Sequence, residues 1–201
     1  FFGREPLASR DVWSREVGYP GHPDYRDFYR DIGFDLTEAQ LAGEVGPNGT
    51  RLMTGLKYHR VTGSGSDKQV WNPERAHERA RQDAEHFVQQ RIRACAQRRD
   101  VTRQPLIVAP FDAELFGHWW FEGPVFLEQV LRLVDRAKNA EISASTLGGY
   151  LEKNPELVVA EPMTSSWGEG GFGAAWLGRS LDAQMAGEGY NVVIHEFAHK
   201  L

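Results

Sequence analysis

An α/β fold is what the order of apolar patterns in this chain predicts, and three observations carry that expectation. A short unbroken apolar run, "PLIVAP" at 105–110, is bounded by prolines, as suits a strand buried on both faces of a parallel sheet. Two long stretches with helical spacing flank it, at 72–99 and 123–139. Further strand-like runs stand at 51–63, "RLMTGLKYHRVTG", and at 156–163, "ELVVAEPM". Strand, helix, strand, helix, strand is the order of a (β/α) barrel or a doubly wound sheet.

Taken in order, residues 1–50 are rich in aromatic residues, Gly and Pro, with helix-compatible spacing only at Tyr25–Ile32 and Thr37–Leu41. The run at 51–63 gives way to a Gly/Ser loop, "GSGSD". Asn72 then offers an N-cap and Pro73 a first-turn residue. Ala76, Ala80, Ala84, Phe87, Ile92 and Cys95 follow near one helical face. The second helix places Phe126, Leu127, Val130, Leu131, Val134 and Ala137 at helical spacing.

Composition bounds the class. With 201 residues, 41% hydrophobic and 25% charged, the chain suits one sizeable globular domain. Its net charge of -5 is mixed in sign, which argues against a nucleic-acid or membrane partner. The most basic stretch, "RIRACAQRRD" at 91–100, reads as the solvated end of a helix, where cations complement the dipole. A single cysteine, Cys95, excludes an internal disulfide, is expected buried and inert, and points to a cytoplasmic setting. No apolar run reaches the ~18 residues of a membrane helix. The start "FFGREPLASR" lacks an initiator Met, and the end stops inside a helical pattern, so the chain is expected to be a fragment.

Chemistry collects after "PLIVAP". Asp112 and Glu114 stand two and four residues past Pro110, where a parallel strand would end, and such strand ends carry the sites of α/β folds. His118, Trp119 and Trp120 follow. A carboxylate pair beside a His and two indoles suits polarising a leaving group while rings stack on a sugar or base. The same acids also suit capping of the next helix, and the same tryptophans suit packing, so spacing alone leaves both readings open.

The residues also carry a resemblance. "FDAELFGHWWFEGP" resembles the fourth conserved motif of glycoside hydrolase family 57, above all in its 1,4-α-glucan branching enzymes. "FFGREPLASRDVWSREVGYPGHPDYRDFYRDIGFD", "TGLKYHRVTG" and "SSWGEGGFGAAWL" resemble further segments of those enzymes in the same order, covering roughly 1–178. The resemblance implies the C-terminal half of an incomplete (β/α)7 barrel at 1–160 and the start of a helical, substrate-closing domain at 161–180. It implies a retaining enzyme acting on α-1,4-glucan, without a cofactor, that forms α-1,6 branches. Asp112 matches the family's general acid/base, whereas the nucleophilic Glu belongs to a motif upstream of these residues, so the isolated chain is expected to be inactive. Trp167 and Trp176 match tryptophans around the glucan acceptor. Arg4 and Gly21 match substrate-contacting positions, with Trp13 a further candidate beside them, and Glu114 and His118 stand beside the acid/base. For Gly21 a plain turn glycine is an equal reading, Trp71 is expected to pack, and His59 is open between sugar binding and a strand end.

Beyond about residue 178 the pattern changes. "HEFAHKL" at 195–201 resembles the zinc helix of the Mlc-titration-factor metallopeptidases. On a helix His195 and His199 share one face and can both reach Zn2+, with Glu196 as base. Such a zinc needs a third protein ligand, which no residue after Leu201 supplies here. Residues 181–201 are thus expected as an unrelated HExxH helix, and a zinc peptidase or a non-catalytic glucan-binding module remain the competing functions.

Overall fold

The computed structural model describes residues 2–63, 65–97, 105–137, 142–157 and 159–164. Two units divide at Asn154, Phe1–Asn154 and Pro155–Leu201. The first holds five α-helices among its described residues: α1 Pro6–Trp13, α2 Ile32–Asp35, α3 Pro73–Gln97, α4 Gly123–Arg136 and α5 Leu147–Lys153.

Each helix begins where local chemistry starts it. The Glu5 carboxylate accepts the Ala8 N–H at 2.6 Å, and Pro6 opens the first turn of α1. Asn72 Oδ1 accepts the Arg75 N–H at 2.9 Å, so the expected cap of α3 is present. Thr146 Oγ1 accepts the Gly149 N–H at 3.0 Å and starts α5.

α3 packs on α4 and α1. Ala76, Ala80, Ala84, Phe87 and Val88 face the core, joined there by Ala8 and Val12 of α1, Phe126 of α4, and Tyr25, Leu115 and Trp120 from loops. Burying one large apolar side chain contributes about 2 kcal/mol, so Trp120 and Phe126, each 1% exposed, are principal fasteners. Arg91, expected in the solvated end of α3, is instead buried. It lies 4.6 Å over the Phe87 ring, and Nη2 stands 3.2 Å from Asp11 of α1. Cys95, expected buried, is half-exposed. On α4, Leu127 and Leu131 lie at the surface although the spacing groups them with the buried Phe126.

The strand expectations differ from the structure. Among the described residues there is no strand, only isolated bridges pairing Arg26 with Arg60, His59 with Val70, and Phe116 with Trp120. Residues 105–109 are only partly buried, and the Val108 carbonyl accepts the Glu5 N–H at 2.8 Å. A strand exists through its neighbours' ladders, and an apolar run without such a ladder stays extended but unpaired. At 51–63 the backbone divides: Leu56, Tyr58, His59, Arg60 and Val61 bond the backbone of residues 25–32 and 69–71, while the amides of Thr54 and Gly55 are claimed by a side chain. Asp31 Oδ1 accepts from Gly33 N–H (2.9 Å), Thr54 N–H (3.0 Å) and the Thr54 hydroxyl (2.8 Å), and Oδ2 accepts from Gly55 N–H (2.9 Å), with Lys57 Nζ at 3.4 Å. Burial alone would raise the Asp31 pKa, but those bonds and the Lys57 charge hold it below its ordinary value. The Tyr25–Ile32 spacing likewise yields no helix until Ile32. Asp27 turns the chain there by accepting the Tyr29 N–H at 2.9 Å.

In the second unit the described residues 155–157 and 159–164 form no regular element, and Val159 and Met163 are exposed. The run expected as a strand at 156–163 is therefore not one in its described part.

Candidate functional site

Residues 112–123 form a loop that closes on itself. The Asp112 carbonyl accepts the Leu115 N–H at 3.2 Å, the Leu115 carbonyl accepts Trp120 N–H at 2.8 Å, and the Trp120 carbonyl accepts both Gly117 and Gly123 N–H at 2.9 Å. Gly123 is required by this closure, because a Cβ there would stand 2.9 Å from Phe116 Cα. Ala113–Leu115 make one 3-10 turn with Asp112 at its N-cap, yet the Asp112 side chain does not cap it. That short turn is therefore not held by the Asp112 carboxyl.

The two adjacent tryptophans part company. Trp120 is buried against Tyr25 (centroids 5.3 Å) and Phe126 (4.9 Å). Trp119 is 48% exposed and lies 4.3 Å from the Phe28 ring, while His118 stands edge-on to both at 5.2 and 5.3 Å. Phe28 continues to Tyr29 at 5.3 Å, and Arg15 lies 4.3 Å over the Tyr29 ring. A strip of rings thus runs from the loop that carries Asp112 and Glu114, both exposed, to Arg15. Sequence reasoning missed Phe28, Tyr29 and Arg15. Phe28 and Tyr29 stand in the helix-compatible stretch 25–32, whose spacing pointed to no site, and nothing in the spacing singled out Arg15.

Arg15 is also a wall of an open cleft of about 650 Å³, lined further by Gly21, Pro23, Arg60 and Val61. Gly21 is there for a steric reason, since a Cβ would fall 1.7 Å from the Arg15 carbonyl oxygen. Its turn role is thereby explained, and its place in the cleft wall is compatible with ligand contact. Arg4 is exposed just before α1, and Trp13, half-buried at the end of α1, packs on the core. Trp71 packs as expected, edge-on to Phe121 at 5.5 Å. His59 is buried with Nε2 3.3 Å from Asp35 Oδ2, an internal role rather than an open one. Trp167, Trp176, His195, Glu196 and His199 lie outside the described residues, and so does any zinc site they would form. Among the described residues no group of three or more His, Cys, Asp or Glu is placed to hold a metal.

Beneath the loop sits Glu122, 1% exposed. Its Oε1 accepts the Trp71 Nε1–H at 2.8 Å and the Arg26 N–H at 3.1 Å. Burial pushes its pKa above the ordinary carboxylate value, against the pull of those bonds and of Arg26.

No protein-family model matches the chain. It is 35% identical over 186 residues to a probable 1,4-alpha-glucan branching enzyme of Mycobacterium tuberculosis, covering 90% of this chain and 31% of that protein. It is 31% identical over 180 residues to a 1,4-alpha-glucan branching enzyme of Thermococcus kodakarensis, covering 87% of this chain and 23% of that protein. The solved GH57-type branching enzyme of Pyrococcus horikoshii superposes with a TM-score of 0.70 at 32% identity, over 89% of this chain and 30% of that one. The chain is a relative of the family 57 glycoside hydrolases. A solved alpha-amylase, AmyC from Thermotoga maritima, superposes with a TM-score of 0.73 at 42% identity, over 83% of this chain and 33% of that one. The chain thus spans about a third or less of the length of the branching enzymes it matches. No helix among its described residues is long and apolar enough to cross a membrane.

Proposed function

We propose that these residues are the part of a retaining α-1,4-glucan enzyme that carries its general acid/base, Asp112, and that the reaction is transfer of a glucan segment to form α-1,6 branches. The observation that carries this reading is the exposed Asp112 on a loop closed over buried Trp120, beside a strip of rings at Trp119, Phe28 and Tyr29. Flat rings cover the apolar C–H face of a glucose unit while leaving its hydroxyls free. The Asp112 carboxyl protonates the departing glycosidic oxygen and then, as carboxylate, takes the proton of the incoming sugar hydroxyl. Retention requires a second carboxylate about 5 Å away as nucleophile. That role is assigned to no residue of this chain, and Glu114 remains a neighbour within the loop.

In this reading 105–110 is a strand of a partial (β/α) barrel in a longer protein, where flanking strands supply its ladder. Trp167 and Trp176 stack on the acceptor glucan, and Arg4, Gly21, Trp13 and His118 contact substrate. The chemistry needs no cofactor, because both half-reactions are proton transfer and displacement at carbon. Similarity to an alpha-amylase supports a second reading in which water, rather than a sugar hydroxyl, is the acceptor. The longer protein that carries these residues, given amylose, distinguishes them. New α-1,6 linkages without a matching rise in reducing ends mean transfer, and reducing ends alone mean hydrolysis. Asp112→Asn is expected to lower either rate about a thousandfold, and a variant that keeps its rate removes Asp112 from the role.

A further inference from the structure

Glu122 is a costly residue to bury. Trp120 already supplies the apolar anchor of the 112–123 loop, and an apolar side chain of similar volume at 122 would hold the loop with less desolvation. What a carboxyl adds is direction. Its Oε1 binds two donors from two different segments, the Trp71 indole and the Arg26 backbone N–H. Arg26 in turn lays its guanidinium 3.7 Å over the ring of Phe121, the residue between Trp120 and Glu122. Oε2 is buried, with no hydrogen-bond partner among the described residues. On the chain's other side, the Glu122 carbonyl accepts Val125 N–H at 3.0 Å and Phe126 N–H at 3.2 Å and so begins α4. The 23–27 segment and Trp71 therefore meet at one side chain, whose own backbone carbonyl begins α4.

The link from Glu122 to Asp112 is short and made of backbone. Gly123 N–H reaches the Trp120 carbonyl, Trp120 N–H reaches the Leu115 carbonyl, and Leu115 N–H reaches the Asp112 carbonyl. A rotation of the loop about Trp120 would carry Asp112 with it, and the two directional bonds at Glu122 oppose such a rotation. We propose that Glu122 is a positioning residue, which orients the closed loop and thereby sets where the Asp112 carboxyl stands. This rests on the assignment of Asp112 as acid/base.

The test uses the longer enzyme that carries these residues, with amylose as substrate. Glu122→Ala is expected to lower kcat about 30-fold with KM within about threefold, the size of effect that a shift near 1 Å produces, and to move the basic limb of the pH profile. Glu122→Gln keeps an oxygen acceptor for Trp71 and Arg26 and is expected to restore most of kcat. In NMR spectra of the 201-residue chain, the Trp71 indole N–H resonance is expected to move upfield in Glu122→Ala. A folded Glu122→Ala enzyme with wild-type kcat and pH profile overturns the proposal. Should that variant fail to fold, Trp71→Phe removes one of the two donors, and an unchanged kcat in it overturns the proposal equally. The two assignments separate cleanly. Activity that survives Asp112→Asn removes the acid/base and this proposal with it, whereas a dead Asp112→Asn beside an unaltered Glu122→Ala removes the positioning role alone.

Discussion

The α3–α4 pair and the segment 22–71 are held by opposite means. Between the helices, alanines, Phe87, Val88 and Phe126 pack without polar partners, and the stabilisation scales with apolar area removed from water. Among the described residues of 22–71 there is no strand, only the single turn of α2 and a 3-10 turn at Pro47–Gly49, and beyond Tyr25 and Leu41 buried acids do much of the holding. Asp31 gathers residues 33, 54, 55 and 57, Asp27 binds Lys68 at 2.8 Å, and Asp35 pairs with Arg30 and His59. Apolar packing is non-directional and tolerates small shifts, whereas carboxylate clasps fix particular atoms and fail when one partner is lost. The candidate site lies where the two regimes meet, since Trp120 belongs to the first and Phe28, Tyr29 and Arg26 to the second.

The largest effect should come from breaking the packed regime. Phe126→Ala is expected to destabilise by about 4 kcal/mol, read by urea unfolding, because it empties a site surrounded by Trp120, Phe87 and Tyr19. A loss below 1 kcal/mol would mean that the helices do not depend on this ring.

Next comes the clasp. Asp31→Asn should cost about 3 kcal/mol, since an amide nitrogen cannot accept from Gly55 or pair with Lys57. The pH dependence follows in sign. The folded pKa of Asp31 lies below its ordinary 3.8, so its stabilisation is fully present above that value and is lost as pH falls through the folded value. Thermal unfolding of Asp31→Asn should therefore show less acid loss below about pH 4 than the parent chain. The smallest effect is local to the packed pair. Asn72→Ala removes the α3 cap and should cost about 1 kcal/mol by the same unfolding measurement.

The same contrast explains what was legible in the sequence. α3 and α4 could be read because helical spacing is a local signal, and for α3 the capping residues Asn72 and Pro73 also stand where expected. α1 had such a signal as well, in Glu5 and Pro6 followed by Ala8 and Val12 one turn apart, but it went unread. The run at 51–63 misled because Leu52, Leu56 and Tyr58 alternate like a strand yet lie exposed, while distant Asp31 takes the Thr54 and Gly55 amides and the rest pairs only through isolated bridges and single bonds. Side-chain-to-backbone capture across more than 20 residues leaves no periodic trace. In the site, the chemistry of Asp112, Glu114 and His118 was visible, and their common loop was expected from their proximity in sequence. The division of labour between Trp119 and Trp120 was not, because two identical neighbours differ only in which way the closed loop turns them.

The loop at 112–123 satisfies most of its described backbone bonds from within and joins its surroundings through side chains: Leu115 and Trp120 in the core, the rings of Trp119 and Phe121, and the Glu122 carboxylate. It is therefore modular. Twelve residues exchanged as a block between related scaffolds should keep their shape wherever a matching aromatic socket and two suitably placed donors await them, so the reactive acid can be inherited as a unit while everything around it drifts.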